Sequence, residues 1–236
     1  MISSLTNQKV KDWCKLHLKK YRDDSFLATG DVLLKAYQNG KLKTLIYTGN
    51  KPFEFEEAYE VSPEVMAKIA QREDIGAIGV ASKIDEKEID GNRIILLDRL
   101  QDPLNLGMIL YAAHSFGFKT VVFSADCADI YHEKALEASH GAFYDLNISC
   151  QDFRILIPSL KEKGYGVYAT ALRNDTIALS SLKEKEKMAF ILGNEGSGVL
   201  EEWMEMTDDT VKIEMANIDS LNVAVAASIV MYQFSK

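Results

Sequence analysis

The sequence predicts an α/β protein in two parts, the larger built on a mostly parallel sheet. Three observations carry that expectation. Apolar runs such as RIILLD (93–98), MAFILG (188–193) and TVKIEM (210–215) alternate with helical patterns, as parallel strands covered on both faces do. A charged stretch without aromatics, KIDEKEIDGN at 83–92, ends in a Gly-Asn turn and reads as a linker. The 236 residues, 47% of them hydrophobic, suffice for one large domain or two small ones with real cores.

The first part, residues 1–82, opens on an amphipathic helix, NQKVKDWCKLHLKKY, with Val10, Trp13, Leu16 and the stem of Lys20 on one stripe. A strand at 26–29, a helix at 31–38 and the strand LKTLIYT follow. An acidic loop leads to the helix SPEVMAKIA, whose Ser-Pro start is a helix-opening signal, and then to the strand GAIGVAS. Beyond the linker, residues 93–236 give strand RIILLD, a helix from Asn105, strand KTVVFSA, and helices around HEKALEAS and DFRILIPSLKEKG. Strands YGVYATA, MAFILG and TVKIEM come next, with a helix starting after the glycine turn at 193–198, and SLNVAVAASIVMYQF is the last helix. That last helix is apolar nearly all round, which suits burial in a core or a dimer.

Net charge is −8, which argues against a surface coated in basic residues. Its distribution is uneven. Lys9, Lys11, Lys15, Lys19, Lys20 and Arg22 face Asp12 alone in residues 1–22, giving +5 there and leaving −13 for the remainder. Such a basic helix is either an RNA-facing element or a solvated face. Cys14, Cys127 and Cys150 are scattered without metal-ligand or disulfide spacing, so no metal site is expected. No apolar run has membrane-spanning length and the start lacks a signal-peptide core, so a cytoplasmic protein without membrane association is expected.

Three strand ends in the second part carry Asn, Gly, Ser or Asp where an open α/β sheet binds ligands: DPLNLGMILYAAHSFG (102–117), GNEGSG (193–198) and ANIDSLNVAVA (216–226). GNEGSG lacks the lysine of a phosphate loop and the spacing of a dinucleotide fingerprint. Glu195 disfavours a pyrophosphate and suits a ligand with positive charge and hydrogen-bond donors, such as a sulfonium with an amino-acid tail and an adenine. A purely structural turn is the alternative.

Order and wording of the three segments resemble the SpoU (TrmH-like) family of RNA ribose 2′-O-methyltransferases, in the SPOUT superfamily. The stretches ISSLTNQKVKDWCKLHLKKYRDDSFLATG and SPEVMAKIAQREDIGAIGVAS are similar to that family's N-terminal substrate-binding domain. The resemblance implies a trefoil-knotted α/β domain after a small L30e-like domain, a homodimer with active sites at the interface, and S-adenosylmethionine as cofactor without a metal. It implies methylation of a ribose 2′-hydroxyl in structured RNA, ribosomal RNA before tRNA. Gly193, Ile213 and Leu221 line the cofactor on this analogy, with Asn194, Glu195, Gly196 and Met215 beside it. Asn105 orients the substrate, Glu195 holds the site near the cofactor, and Ser220 with Asn222 completes the pocket.

The chain departs from the family pattern at named places. Where the family carries an arginine six residues after the motif-one asparagine, this chain has Tyr111; where motif three reads Ile-Pro-Met it has Glu214; and Thr29 stands before Gly30 in place of a glutamate. Tyrosine can accept or orient a hydroxyl proton but brings no cation to a phosphate. His114 or His140 could assist it, or Tyr111 could instead face the sulfonium through a cation–π contact. Three readings stay open: an active methyltransferase using Tyr111, a member that keeps RNA or cofactor binding without transfer, and a dimeric scaffold or RNA-binding module whose turns are structural. Local capping offers plainer roles as well, Asn105 and Ser220 each capping the helix that follows.

Overall fold

Two sheets organise the chain, one in each of two units. A computed structural model describes residues 1–173, 175–218 and 220–235. The first unit comprises Met1–Asp85 with Tyr131–Tyr144, and the second comprises Glu86–Ile130 with Asp145 onward.

The first unit holds a four-stranded sheet in the order β1 (Ser25–Ala28), β4 (Ala77–Ser82), β2 (Leu42–Tyr47), β3 (Ala58–Glu60). β4 runs antiparallel to both its neighbours, and β2 and β3 are parallel. Helices α1 (Gln8–Lys15), α2 (Gly30–Gln38) and α3 (Pro63–Ala70) belong to this unit. The Ser62 hydroxyl accepts from the Val65 N–H and Pro63 takes the first helical position of α3, as the Ser-Pro signal implies. Val10 and Trp13 of α1 are buried with Ile46, Val65, Ile69 and Ile78, whereas Lys20 is exposed and lies off the stripe.

An expected boundary shifts here. A break at 83–92 alone leaves residues 131–144 with the second part, but the chain returns them to the first. Their helix α5 (Glu133–Ser139) packs on α2. Phe26 of β1, fully buried, lies 4.8 Å from the Tyr131 ring and 6.1 Å from that of Phe143. Burying aromatic rings of this size stabilises a small unit substantially, and no local pattern announces so distant a partner.

In the second unit seven strands run in the order β7 (Asn147–Cys150), β6 (Thr120–Phe123), β5 (Arg93–Leu97), β10 (Met188–Leu192), β8 (Gly166–Thr170), β11 (Asp209–Lys212), β9 (Ile177–Ala178). Every described pairing among them is parallel. Alternation sorts the apolar runs between two faces. Ile94, Leu96, Ala189 and Ile191 face α6 (Phe153–Glu162) and α7 (Glu201–Met206), meeting Phe153, Leu156, Ile157 and Trp203. Phe190, on the alternate register, stacks on Phe234 at 5.1 Å, beyond α8 (Val223–Gln233), which packs against α4 (Pro103–Ser115). β5 leads outward to β6 and β7, while later strands lie beyond β10, so the strand order switches between β5 and β10. Their carboxyl ends are where ligands of open α/β sheets sit.

Two expected caps are displaced. Asp102, not Asn105, caps α4, accepting from the Leu104 N–H at 2.9 Å. Asn222, not Ser220, caps α8, accepting from the N–H groups of Ala224 (2.9 Å) and Val225 (3.3 Å). In each case the side-chain oxygen of the cap satisfies amides of the first turn that have no partner within the helix.

Candidate active site

At the carboxyl edge of β10, β8 and β11 the loops enclose a cavity of about 610 Å³. Gly193, Asn194, Glu195, Gly196, Ile213, Met215, Ser220, Leu221 and Asn222 all line it, so residues spread over thirty positions of sequence meet in one place. Leu172, Leu192 and Val199 add apolar wall, and Arg173 and Lys212 add cations.

The turn after β10 is fixed by its own chemistry. A Cβ on Gly193 would lie 2.1 Å from the backbone of Gly198 and Val199, so only glycine permits the return of the chain at that point. The Asn194 side-chain oxygen accepts from the N–H groups of Gly196 (2.9 Å) and Ser197 (3.0 Å), closing an Asx turn. Asn194 and Gly198 exchange backbone hydrogen bonds at 2.9 and 3.1 Å.

Glu195 reaches from this turn to the segment after β5. Its carboxylate accepts from the backbone N–H of Gln101 (3.1 Å) and of Asp102 (3.0 Å), and from the Asn105 amide (3.1 Å). Partial burial pushes this carboxyl up, but the hydrogen bonds from backbone and Asn105 outweigh it and hold the group below the usual glutamate range. The carboxylate is therefore ionised at neutral pH. Asn105, 5% exposed, accepts in turn from the Asn222 amide at 2.9 Å. One chain of hydrogen bonds thus joins all three motif segments: Asn222 to Asn105 to Glu195.

Residues the sequence did not single out complete the frame. Asp98, fully buried, accepts from the Leu200 N–H (3.1 Å) and the Trp203 indole (3.0 Å). The Arg99 carbonyl accepts from the Asn194 amide at 2.9 Å. An Asp-Arg pair at the carboxyl end of a continuous apolar strand was the available signal, since that edge is where such sheets bind.

Glu214 has a structural task. It stands between Ile213 and Met215, which line the cavity, and itself turns away to accept from the Ser180 hydroxyl. That hydrogen bond, with backbone N–H groups of Ser180 and Leu179, lowers its pKa below the ordinary glutamate value. A 3₁₀ turn, Leu179–Ser181, is thereby tied to the loop after β11.

Tyr111 has a different setting. It lies on α4 at 49% exposure and does not line the cavity. Leu104 and Met108 of α4, with Val225 and Tyr232 of α8, are also exposed, so the second unit presents an apolar helical face. His114 lies one turn on, its Nε2 3.9 Å from Asp145. His140 belongs to the first unit, where its Nδ1 lies 2.8 Å from Asp31.

The N-terminal basic residues divide. Lys9, Lys11, Lys15, Lys19 and Lys20 are exposed, with Lys9 bonded to the Tyr59 hydroxyl and Lys15 to Asp12. Arg22 does not belong with them. It is 6% exposed, and its Nη1 donates to the carbonyls of Leu16 (3.2 Å) and His17 (3.0 Å), closing the end of α1. Glu137, an acidic feature of the same unit, pairs with Arg72.

A sequence model of the SpoU rRNA Methylase family matches residues 92–232, the span holding the whole network. The chain belongs to that family. As a SpoU-family RNA methyltransferase it is 31% identical over 242 residues to the 23S rRNA (guanosine(2553)-2′-O)-methyltransferase RlmP of Bacillus subtilis, covering 98% of this chain and 97% of that protein. The fold of this SpoU member also matches an AdoMet-bound rRNA methyltransferase from Sinorhizobium meliloti, with a TM-score of 0.87, 26% identity, and coverage of 98% and 95% of the two chains. Its fold resembles that of the SpoU methyltransferase AviRb of Streptomyces viridochromogenes as well, with a TM-score of 0.84 at 21% identity and 96% coverage of each chain.

Proposed function

We propose that this protein methylates a ribose 2′-hydroxyl of ribosomal RNA, with S-adenosylmethionine as the methyl donor. The observation that carries the reading is the cavity at the sheet edge, walled by the second and third motif segments and tied to the first through the hydrogen bonds of Asn105 with Glu195 and Asn222. Its volume suits a nucleoside-sized ligand, and its wall mixes apolar side chains and backbone groups with the Glu195 carboxylate, which suits a sulfonium, and the Arg173 and Lys212 cations, which suit the carboxylate of an amino-acid tail. Bound S-adenosylmethionine supplies an activated methyl group, so the chain's own residues need only bind, orient and remove a proton. Glu195 holds the turn open and contributes negative potential beside the sulfonium. Ile213, Met215 and Leu221 present the hydrophobic wall.

The substrate half is assigned to a homodimer. The exposed apolar face of α4 and α8 supports pairing of two copies there, with Tyr111 carried on that face to orient the ribose hydroxyl. The exposed lysines 9, 11, 15, 19 and 20 support RNA contact by the first unit. A trefoil knot in the second unit, implied by the family, belongs to the same proposal.

A second reading rests on Tyr111 itself: with no arginine at that position, the chain binds cofactor and RNA but does not transfer. Radiolabelled methyl transfer to unmodified 23S rRNA, with mapping of the product nucleotide, decides between them. Methyl incorporated at a ribose supports the first reading. Cofactor and rRNA binding without incorporation, under conditions where a Tyr111→Arg variant does transfer, supports the second.

A further inference from the structure

Gln71, Arg99 and His140 are the non-glycine residues with positive φ among those described. Gln71 and His140 each follow the last turn of a helix, where a left-handed residue is an ordinary ending. Arg99 follows a strand, with φ of 53°. An L-residue is strained there, because its Cβ crowds the backbone, and it persists only where its surroundings hold it.

Its polar groups are held on every side. The Arg99 N–H donates to the Ser124 hydroxyl at 2.8 Å. Its carbonyl accepts from the side-chain amides of Asn194 (2.9 Å) and Gln101 (3.2 Å). The guanidinium donates to Asp98 at 3.1 to 3.3 Å, to the Gly198 carbonyl at 3.0 Å and to the Ser197 hydroxyl at 3.4 Å. Arg99 therefore grips the turn after β10 at both ends, Asn194 through its carbonyl and Ser197–Gly198 through its side chain. Between those grips Glu195 is fixed separately by residues 101–105. A planar fork with several donors spans Asp98 and Gly198 together, which a single ammonium point does poorly. Arg99 does not itself line the cavity.

We propose that Arg99 is a positioning residue for cofactor binding, its strained backbone and guanidinium setting the spacing of Asn194 and Gly198 and so the shape that the turn presents to the cavity. This rests on the reading of the cavity as an S-adenosylmethionine site. Two neighbours of similar backbone tolerance make the test clean, because Gly and Asn both adopt the left-handed conformation with little cost.

The experiment titrates S-adenosylmethionine into the full-length wild type, Arg99→Gly, Arg99→Asn and Arg99→Lys by calorimetry, and follows thermal unfolding of each without ligand. Relief of backbone strain offsets part of the lost side-chain bonding, so the Gly and Asn variants should unfold within a few degrees of wild type. Their cofactor affinity should fall about tenfold or more, with Lys between, since a charged hydrogen-bonding group has been removed from the frame of the site. Unchanged affinity in Arg99→Gly and Arg99→Asn overturns the proposal. So does failure of both variants to fold, which would make Arg99 a support of the fold alone. A folded wild type that binds no S-adenosylmethionine is a different result, refuting the assignment of the cavity on which the proposal stands.

Discussion

Glu195 and Tyr111 were both expected in the catalytic centre, yet the fold treats them oppositely. Glu195 lies in the turn after β10 with its carboxylate engaged by Gln101, Asp102 and Asn105, inside a frame that one chain completes. Tyr111 stands half exposed on an apolar helix face and is not among the residues that line the cavity beside Glu195. On the proposed function, a single chain assembles the cofactor half of the site, whereas the substrate half is presented outward. Substitutions on the two sides should then separate cofactor binding from transfer.

The largest effect is expected at Gly193. In Gly193→Ala the new methyl must displace the backbone of Gly198 and Val199, which sits 2.1 Å from its ideal position. Calorimetry should show S-adenosylmethionine affinity lost by about a hundredfold or more, and unfolding should show a cost of about 3 kcal/mol. Wild-type affinity in this variant would break the contrast at its strong end.

Next comes Asn105, buried between Glu195 and Asn222. Asn105→Leu leaves the carboxylate and the Asn222 amide each short of a partner, at a cost of about 2 kcal/mol in denaturant unfolding. If the variant is as stable as wild type, the three segments are not energetically joined.

Glu195→Gln is a smaller change with a pH signature. The folded carboxyl lies below the usual glutamate value, so its contribution is present above the unfolded pKa and is lost as pH falls through the folded one. Because the residue is solvent-accessible, the difference from wild type should be about 1 kcal/mol at pH 7 and close to nothing near pH 3. A difference that grows on acidification would contradict the hydrogen-bonded carboxylate.

Smallest on binding, Tyr111→Ala should leave S-adenosylmethionine affinity within about twofold, since the ring lies outside the cavity. Methyl transfer by the same variant should drop about tenfold or more if the phenol orients the hydroxyl. Loss of cofactor affinity would instead support a cation–π role at the sulfonium.

Much of this was legible in the sequence for local reasons. β5 and β10 are continuous apolar runs, and the motif residues fall at strand ends, so both the parallel sheet and the edge that carries the cavity could be read. β7 could not, because Asn147 and Ser149 interrupt its four residues. β3 was hidden in an acidic stretch whose only apolar members are aromatic and alanine. Long-range partners left no local mark: Phe26 with Tyr131 and Phe143, or Asp98 with Trp203 more than a hundred residues later. Composition grouped Arg22 with five lysines, although geometry makes it the cap of α1. Arg99 escaped notice because a left-handed conformation is signalled by Gly or Asn, not by arginine.

The central claim is that the frame around Glu195 is a cofactor site complete in one chain. Calorimetric titration of the purified full-length protein with S-adenosylmethionine tests it without any choice of RNA. Saturable binding approaching about one cofactor per chain, with micromolar or tighter affinity, is the expected result. Absence of binding by a protein shown to be folded in the same buffer would contradict it.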